Sequence, residues 1–202
     1  MKRALVLSAV LGTCIATIHG VPQWLLARPG GGAYTSAGER DSPTTLICPT
    51  VALYRAYAAE NSARGCVEHP LGVRVVIDSI IPATRSVGAI AKVQARDGTF
   101  HGYTAVAALV PAVPHGVPVT LEASAASREP LTISPDQSAD LGSGFDLGVH
   151  AAATTMRFDP ANANKRDLFV RVDSGRYRGR RGWIFARQVF YDGRPLDALV
   201  II

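Results

Sequence analysis

The sequence is poor in cysteine and in charge, and past its first residues it has no long stretch free of glycine and proline. Only three cysteines occur in 202 residues. Two of them, Cys48 and Cys66, lie beyond the N-terminal segment. With only His69 nearby, they do not make the four-ligand spacing of a zinc site. Charged residues are 18% and hydrophobic residues 48% of the chain, which argues against global disorder. The 19 glycines and 13 prolines are spread along the chain, as expected for many short strands joined by turns. The net charge is +5, and setting aside Lys2 and Arg3 leaves about +3, far from the field of a dedicated nucleic-acid binder.

Catalytic patterns are missing as well. There is no G-x-S-x-G, H-E-x-x-H, Walker-type loop or G-x-G-x-x-G after a strand. Gly30-Gly31-Gly32 has no flanking strand and helix and reads as a tether signal. The acids are scattered. Asp136, Asp140 and Asp146 share one loop without the alternation of a calcium site, and no carboxylate pair for glycoside hydrolysis can be assembled by spacing. The five histidines, His19, His69, His101, His115 and His150, read as surface or turn residues. One nucleophilic pair can be written, Cys66 with His69, and it competes with a disulfide. No cofactor is expected.

The N-terminus carries the compartment signal. Met1-Lys2-Arg3 is a basic start, and Ala4 to Ile18 is apolar or small and uncharged, as in the n- and h-regions of an export signal. Three outcomes are written into it: cleavage after Gly20, an anchor running from Ala4 to Ala27 with Trp24 at the interface, or a lipoprotein-type site at Cys14. The expected location is periplasmic or extracellular, with membrane anchoring through this segment as a variant. An even cysteine pair in an exported chain suggests one disulfide, Cys48–Cys66. It closes a loop of roughly 18 residues, worth about 3 kcal/mol. Two buried free thiols are the alternative.

The organisation that follows is an export segment over 1–20, a flexible tether over 21–45, a first module over 46–112, a Pro-rich linker over 113–118, and a second module with a C-terminal extension over 119–202. The halves look alike. Leu71-Gly72-Val73 and Leu147-Gly148-Val149 each open a strand, and Gly102-Tyr103 and Gly182-Trp183 each follow a second one. Internal duplication is the natural reading. The first half divides into strands near 50–55, 72–79, 88–94, 101–106 and 108–110. Val73, Val75 and Ile77 point inward, while Arg74, Val76 and Asp78 lie on the other face. A module this small hides its sheet edges by curling, so the expected fold class is all-β, with two small barrels in tandem.

These segments resemble the bacterial Src-homology-3 (SH3) type domains of exported and cell-wall proteins. The resemblance rests on Val51–Tyr57 as a leading strand and loop, the Gly-started strand Gly72–Ile77, and a third strand ending Lys92-Val93. It continues with the turn at Asp97-Gly98, the Gly-aromatic step Gly102-Tyr103, and Arg181-Gly182-Trp183-Ile184. It implies a non-catalytic accessory that binds cell-wall or peptide ligands. It does not imply one ligand.

The strongest surface signal is basic. Residues 165–194 hold nine Lys/Arg and three Asp. Arg176, Tyr177, Arg178, Arg180 and Arg181 cluster at a hairpin turn leading to Trp183, and arginines grip carboxylates or phosphates through paired N–H donors. Trp183 itself reads as a core residue before a ligand platform. The expected partner is a cell-wall polymer or envelope protein with an anionic surface, not nucleic acid. Leu196–Ile202 reads as an edge strand or a segment packed on the second module. The competing functions are a small secreted hydrolase or peptidase, using Cys66 or a serine with a histidine, and a structural subunit or inhibitor of an envelope complex.

Overall fold

The computed structural model describes residues 21–36, 44–60, 63–123, 130–137, 144–159 and 166–201. The expected export segment 1–20 and residues 37–43 of the expected tether lie outside them. The N-terminal half contains β1 (Leu26–Ala27), β2 (Gly32–Thr35), β3 (Thr44–Ile47), α1 (Val51–Glu60), β4 (Val67–Pro70), β5 (Arg74–Ile81), β6 (Ile90–Ala95), β7 (His101–Ala105) and β8 (Leu109–Pro111). The C-terminal half contains β9 (Pro118–Glu122), β10 (Thr132–Ile133), β11 (Phe145–Asp146), β12 (His150–Phe158), β13 (Leu168–Val172), β14 (Arg181–Ile184), β15 (Val189–Tyr191), β16 (Arg194–Pro195) and β17 (Val200–Ile201). The protein is mostly β-sheet.

Each half builds one antiparallel sheet, in the order β7-β6-β5-β2-β8 and β14-β13-β12-β9-β15-β16. Backbone pairing leaves both orders open rather than closed on themselves. β5 shows why such a strand forms: Val75 and Ile77 are fully buried while Arg74, Val76 and Asp78 stay exposed, the period-2 pattern of a half-buried sheet.

The two sheets match residue by residue. Both long strands shift register at corresponding places, β5 between Ile77 and Ser79 and β12 between Thr155 and Arg157. In both, a short hairpin, β3–β4 or β10–β11, bridges to the outer strand of the sheet, Cys48 to Tyr103 and Ser134 to Trp183. That close approach explains the two Gly-aromatic steps. A Cβ on Gly102 would lie 2.6 Å from the Cys48 carbonyl oxygen, and one on Gly182 would lie 2.8 Å from that of Ser134.

Three sequence expectations are corrected. Residues 50–55 are not a strand, because the run from Val51 to Glu60 is helical. Thr50 accepts the Leu53 N–H at its N-terminal end, and the alanine-rich stretch that follows favours helix. The expected tether is folded where it is described. β2 lies inside the first sheet, paired with β5 on one side and β8 on the other, with Ala33 and Thr35 fully buried. Its small residues fit a tightly packed central strand while giving little hydrophobic signal. Residues 21–27, the last part of the anchor reading, are folded too. Leu25 is fully buried in the second core, and Trp24 meets Tyr191 edge to face at 5.5 Å. Among the described residues no helix is long and apolar enough to cross a membrane.

The chain ends cross between the cores. Leu25 joins Leu121, Leu131, Ile133, Leu168 and Ile184 of the second core. Leu199, near the other end, joins Ala33, Val75, Ile77, Val93 and Leu109 of the first. Between them β1 and β17 pair in parallel, Leu26 with Val200 and Ala27 with Ile201. The expected Pro-rich linker is pinned as well: Thr155 donates its hydroxyl to the Pro114 carbonyl and accepts the Val117 N–H. Tyr34 of the first half meets Phe158 of the second at 5.8 Å.

Candidate functional site

The basic hairpin is the turn between β13 and β14, and its base is locked. Asp173 accepts the Thr154 hydroxyl and, at 2.9 Å, the Arg171 Nε. These bonds, Thr154 foremost, hold its carboxyl below the usual carboxylate range. The Ser174 hydroxyl oxygen accepts the Ala152 N–H at 2.8 Å. The Val172 N–H donates to the Arg180 carbonyl and the Gly179 N–H to the Val172 carbonyl. The turn is therefore fixed to β12, and its tip is presented on a rigid base.

At the tip a ladder forms from two hairpins. The Arg176 guanidinium lies 5.1 Å from the Tyr177 ring centroid. Tyr177 stacks at a tilt on Phe145 of β11 at 5.5 Å. Arg180 lies over Phe145 at 5.2 Å. Cations over ring faces are held by the quadrupole of the ring while their in-plane N–H donors stay open. Among the described residues none of Arg176, Arg178, Arg180 or Arg181 forms an ion pair with a carboxylate. Beside the ladder lies a cleft of about 280 Å³, lined by Asp146, Leu147, His150, Ser174, Arg176 and Tyr177 among others.

The six residues singled out from the sequence thus divide. Arg176, Tyr177 and Arg180 come together at the ladder, and Arg178 sits exposed on the same turn. Arg181 and Trp183 belong to β14 and project from the outer face of the sheet, because residues two apart on a strand share a face. Trp183 is therefore not a core residue. It is half-buried, packs on Phe169 at 5.1 Å and carries Arg157 over its ring at 5.7 Å. Arg157 in turn reaches Asp159 at 3.3 Å.

Phe145, Asp146 and His150 were missed by sequence reasoning. Phe145 sits in a two-residue strand beyond a polar loop, and its only signal is a lone aromatic at the position that corresponds to Val67 in the first half. In that half the corresponding turn, between β6 and β7, sets Phe100 against His69 of β4. The Cys48–Cys66 disulfide is formed, and it staples α1 beside Tyr103 and Ile90 in a small apolar cluster with Tyr54 and Tyr57.

The disulfide removes Cys66 as a nucleophile. His69 packs on Phe100 at 4.1 Å, and burial pushes its imidazole below its ordinary pKa. Among the described residues no three His, Cys, Asp or Glu side chains come together as metal ligands. One carboxyl is strongly perturbed. Desolvation pushes Asp167 up to about 7, although it accepts the Ala186 N–H at 2.7 Å and faces Arg187, with Asp197 opposing its ionisation. It joins the start of β13 to the 3₁₀ turn at Ala186–Gln188. Comparison with family models, curated proteins and solved structures finds no match to this chain.

Proposed function

We propose that this chain is a non-catalytic binding protein of the cell envelope, built from two SH3-like barrels that hold a ligand surface at the β13–β14 turn of the second. The reading of the halves as SH3-like is supported by their common strand order and by β8 and β15 returning to pair with β2 and β9, the first sheet strand of each half. Export is supported by the basic, then apolar N-terminal sequence, and a disulfide suits an oxidising compartment. The observation that carries the binding reading is the ladder Arg176–Tyr177–Phe145–Arg180, a cationic and aromatic surface whose two arginines form no ion pair among the described residues.

The test is co-sedimentation of fragment 21–202 with purified cell-wall sacculi. The fragment starts at Val21 because Leu25 and β2 belong to the folded cores. Retention that drops in Tyr177→Ala and Arg180→Gln supports the reading, and passage of the parent fragment into the supernatant sinks it. A serine hydrolase is the second reading, favoured by Ser174 and His150 lining one cleft with Glu122 Oε1 4.0 Å from His150 Nδ1. Ser174 accepts the Ala152 backbone N–H, and among the described residues no base is hydrogen-bonded to its hydroxyl. Labelling of Ser174 by a fluorophosphonate would reverse this ranking.

A further inference from the structure

We infer that the ladder and its cleft form one subsite for the phosphate ester of a polyol. This rests on the binding reading above and names the ligand chemistry. Arg176 and Arg180 are the two ends of the ladder, each with its guanidinium laid over a ring. That arrangement leaves the donor edge of each to a tetrahedral oxyanion, which a guanidinium grips through two parallel N–H bonds. Arg178, exposed on the same turn, adds charge beside them. Among the described residues none of these three arginines is ion-paired to a carboxylate, and only Arg178 feels the nearby charge of Asp173, so a phosphate ester is the complementary charge.

The cleft supplies the second half of the recognition. It opens at Arg176 and Tyr177 and runs to Asp146, Ser174 and His150. Asp146 Oδ1 accepts the Gly148 N–H at 2.8 Å, which orients the carboxylate as a hydroxyl acceptor. Ser174 offers its hydroxyl hydrogen, since its oxygen is already taken by Ala152. A carboxylate and a hydroxyl beside paired guanidinium edges suit neighbouring hydroxyls on a carbon chain that carries a phosphate. They do not suit an apolar ligand. About 280 Å³ lies just below the usual range of drug-sized ligand pockets, which fits one such headgroup or repeat unit. The same chemistry occurs in a soluble wall polymer and in a phosphatidylglycerol headgroup. Val149, 80% exposed on the turn beside the cleft, is the contact that would reach acyl carbons in the second case.

The experiment uses fragment 21–202 and two probes. Glycerol 3-phosphate is titrated by NMR, following backbone amides at 146–151 and 174–181 and the arginine side-chain Nε signals. Vesicles with phosphatidylglycerol are compared with vesicles of phosphatidylcholine alone by flotation. Arg176→Gln with Arg180→Gln is set against Arg55→Gln with Arg85→Gln, an equal charge loss on exposed positions of the first half. Both double variants are checked for unchanged thermal melting. The ladder variant is expected to weaken binding about tenfold or more and the control variant by less than about threefold. Saturable shifts with glycerol 3-phosphate assign a soluble source. Flotation with phosphatidylglycerol that falls in Val149→Asp assigns a lipid source. Three results overturn the inference: equal weakening in the two double variants, glutarate or glycerol shifting the same amides as strongly, or no response to either probe. Should sacculi still retain the fragment in that event, the envelope-binding reading survives and only the phosphate assignment falls.

Discussion

The crossing of the chain ends makes a quantitative prediction. Leu25 stands before the first sheet in sequence yet is fully buried in the second core. Truncating it to alanine removes buried methyl and methylene groups and leaves a cavity, a loss of roughly 3 kcal/mol within the usual 2–5. With a urea m-value of about 2 kcal/mol/M, that is a fall of about 1.5 M in the unfolding midpoint. The assay separates the halves. Trp24 packs against the second core and Trp183 lies on the second sheet, so tryptophan fluorescence follows that half. Hydrogen exchange at Val75, Ile77 and Val93 follows the other. Leu25→Ala is expected to lower the fluorescence midpoint by the full amount. Leu199→Ala, almost at the opposite end, is expected to raise exchange at Val75, Ile77 and Val93, because Leu199 packs in the first core. A midpoint change below about 0.5 M for Leu25→Ala would refute the crossing. So would faster exchange confined to the first sheet in that variant and to the second sheet in Leu199→Ala.

Other consequences are as direct. Gly102→Ala and Gly182→Ala each drive a Cβ into a carbonyl oxygen and are expected to cost about 1–3 kcal/mol; urea melts of the two variants check this, and a neutral result at both would remove the close-approach explanation. Asp167 binds its proton more tightly folded than unfolded, since desolvation raises its carboxyl from 3.8 to about 7. Its contribution is complete below about pH 4 and is lost as pH rises through about 7, a fall of up to roughly 4 kcal/mol. Asp167→Asn keeps an acceptor for Ala186 and is expected to melt above the parent at pH 8 with a flatter pH profile; an unchanged profile counts against it. Reducing the Cys48–Cys66 bridge, or Cys48→Ser with Cys66→Ser, is expected to cost about 3 kcal/mol, with exchange rising first in α1.

Residues 73–78 and the two Gly-aromatic steps were legible because their information is local: alternation marks a half-buried strand, and a glycine before an aromatic marks a tight approach. α1 was misread because Val51, Tyr54 and Tyr57 favour strands while the helix signals, Thr50 and the alanines, are quieter. β2 was misread because Gly30-Gly31-Gly32 resembles a tether, and Ala33 and Thr35 are too small to announce a core strand. For the site, Arg176, Tyr177 and Arg180 were found as a charge cluster. The partner that organises them, Phe145, comes from another hairpin and carries no pattern of its own. Arg181 and Trp183 parted from the cluster for a geometric reason, since the turn ends at Arg180 and strand alternation then directs them to the sheet face. No local pattern states that Leu25 and Leu199 exchange cores.

That exchange also sets a clock. A chain emerging N-terminus first presents all the strands of its first sheet early, yet the core of that sheet waits for Leu199, which follows every strand of both sheets. Leu25 in turn waits for strands about a hundred or more positions downstream. Such distant closures are slow to form, so neither core is complete until the strands of both sheets have appeared.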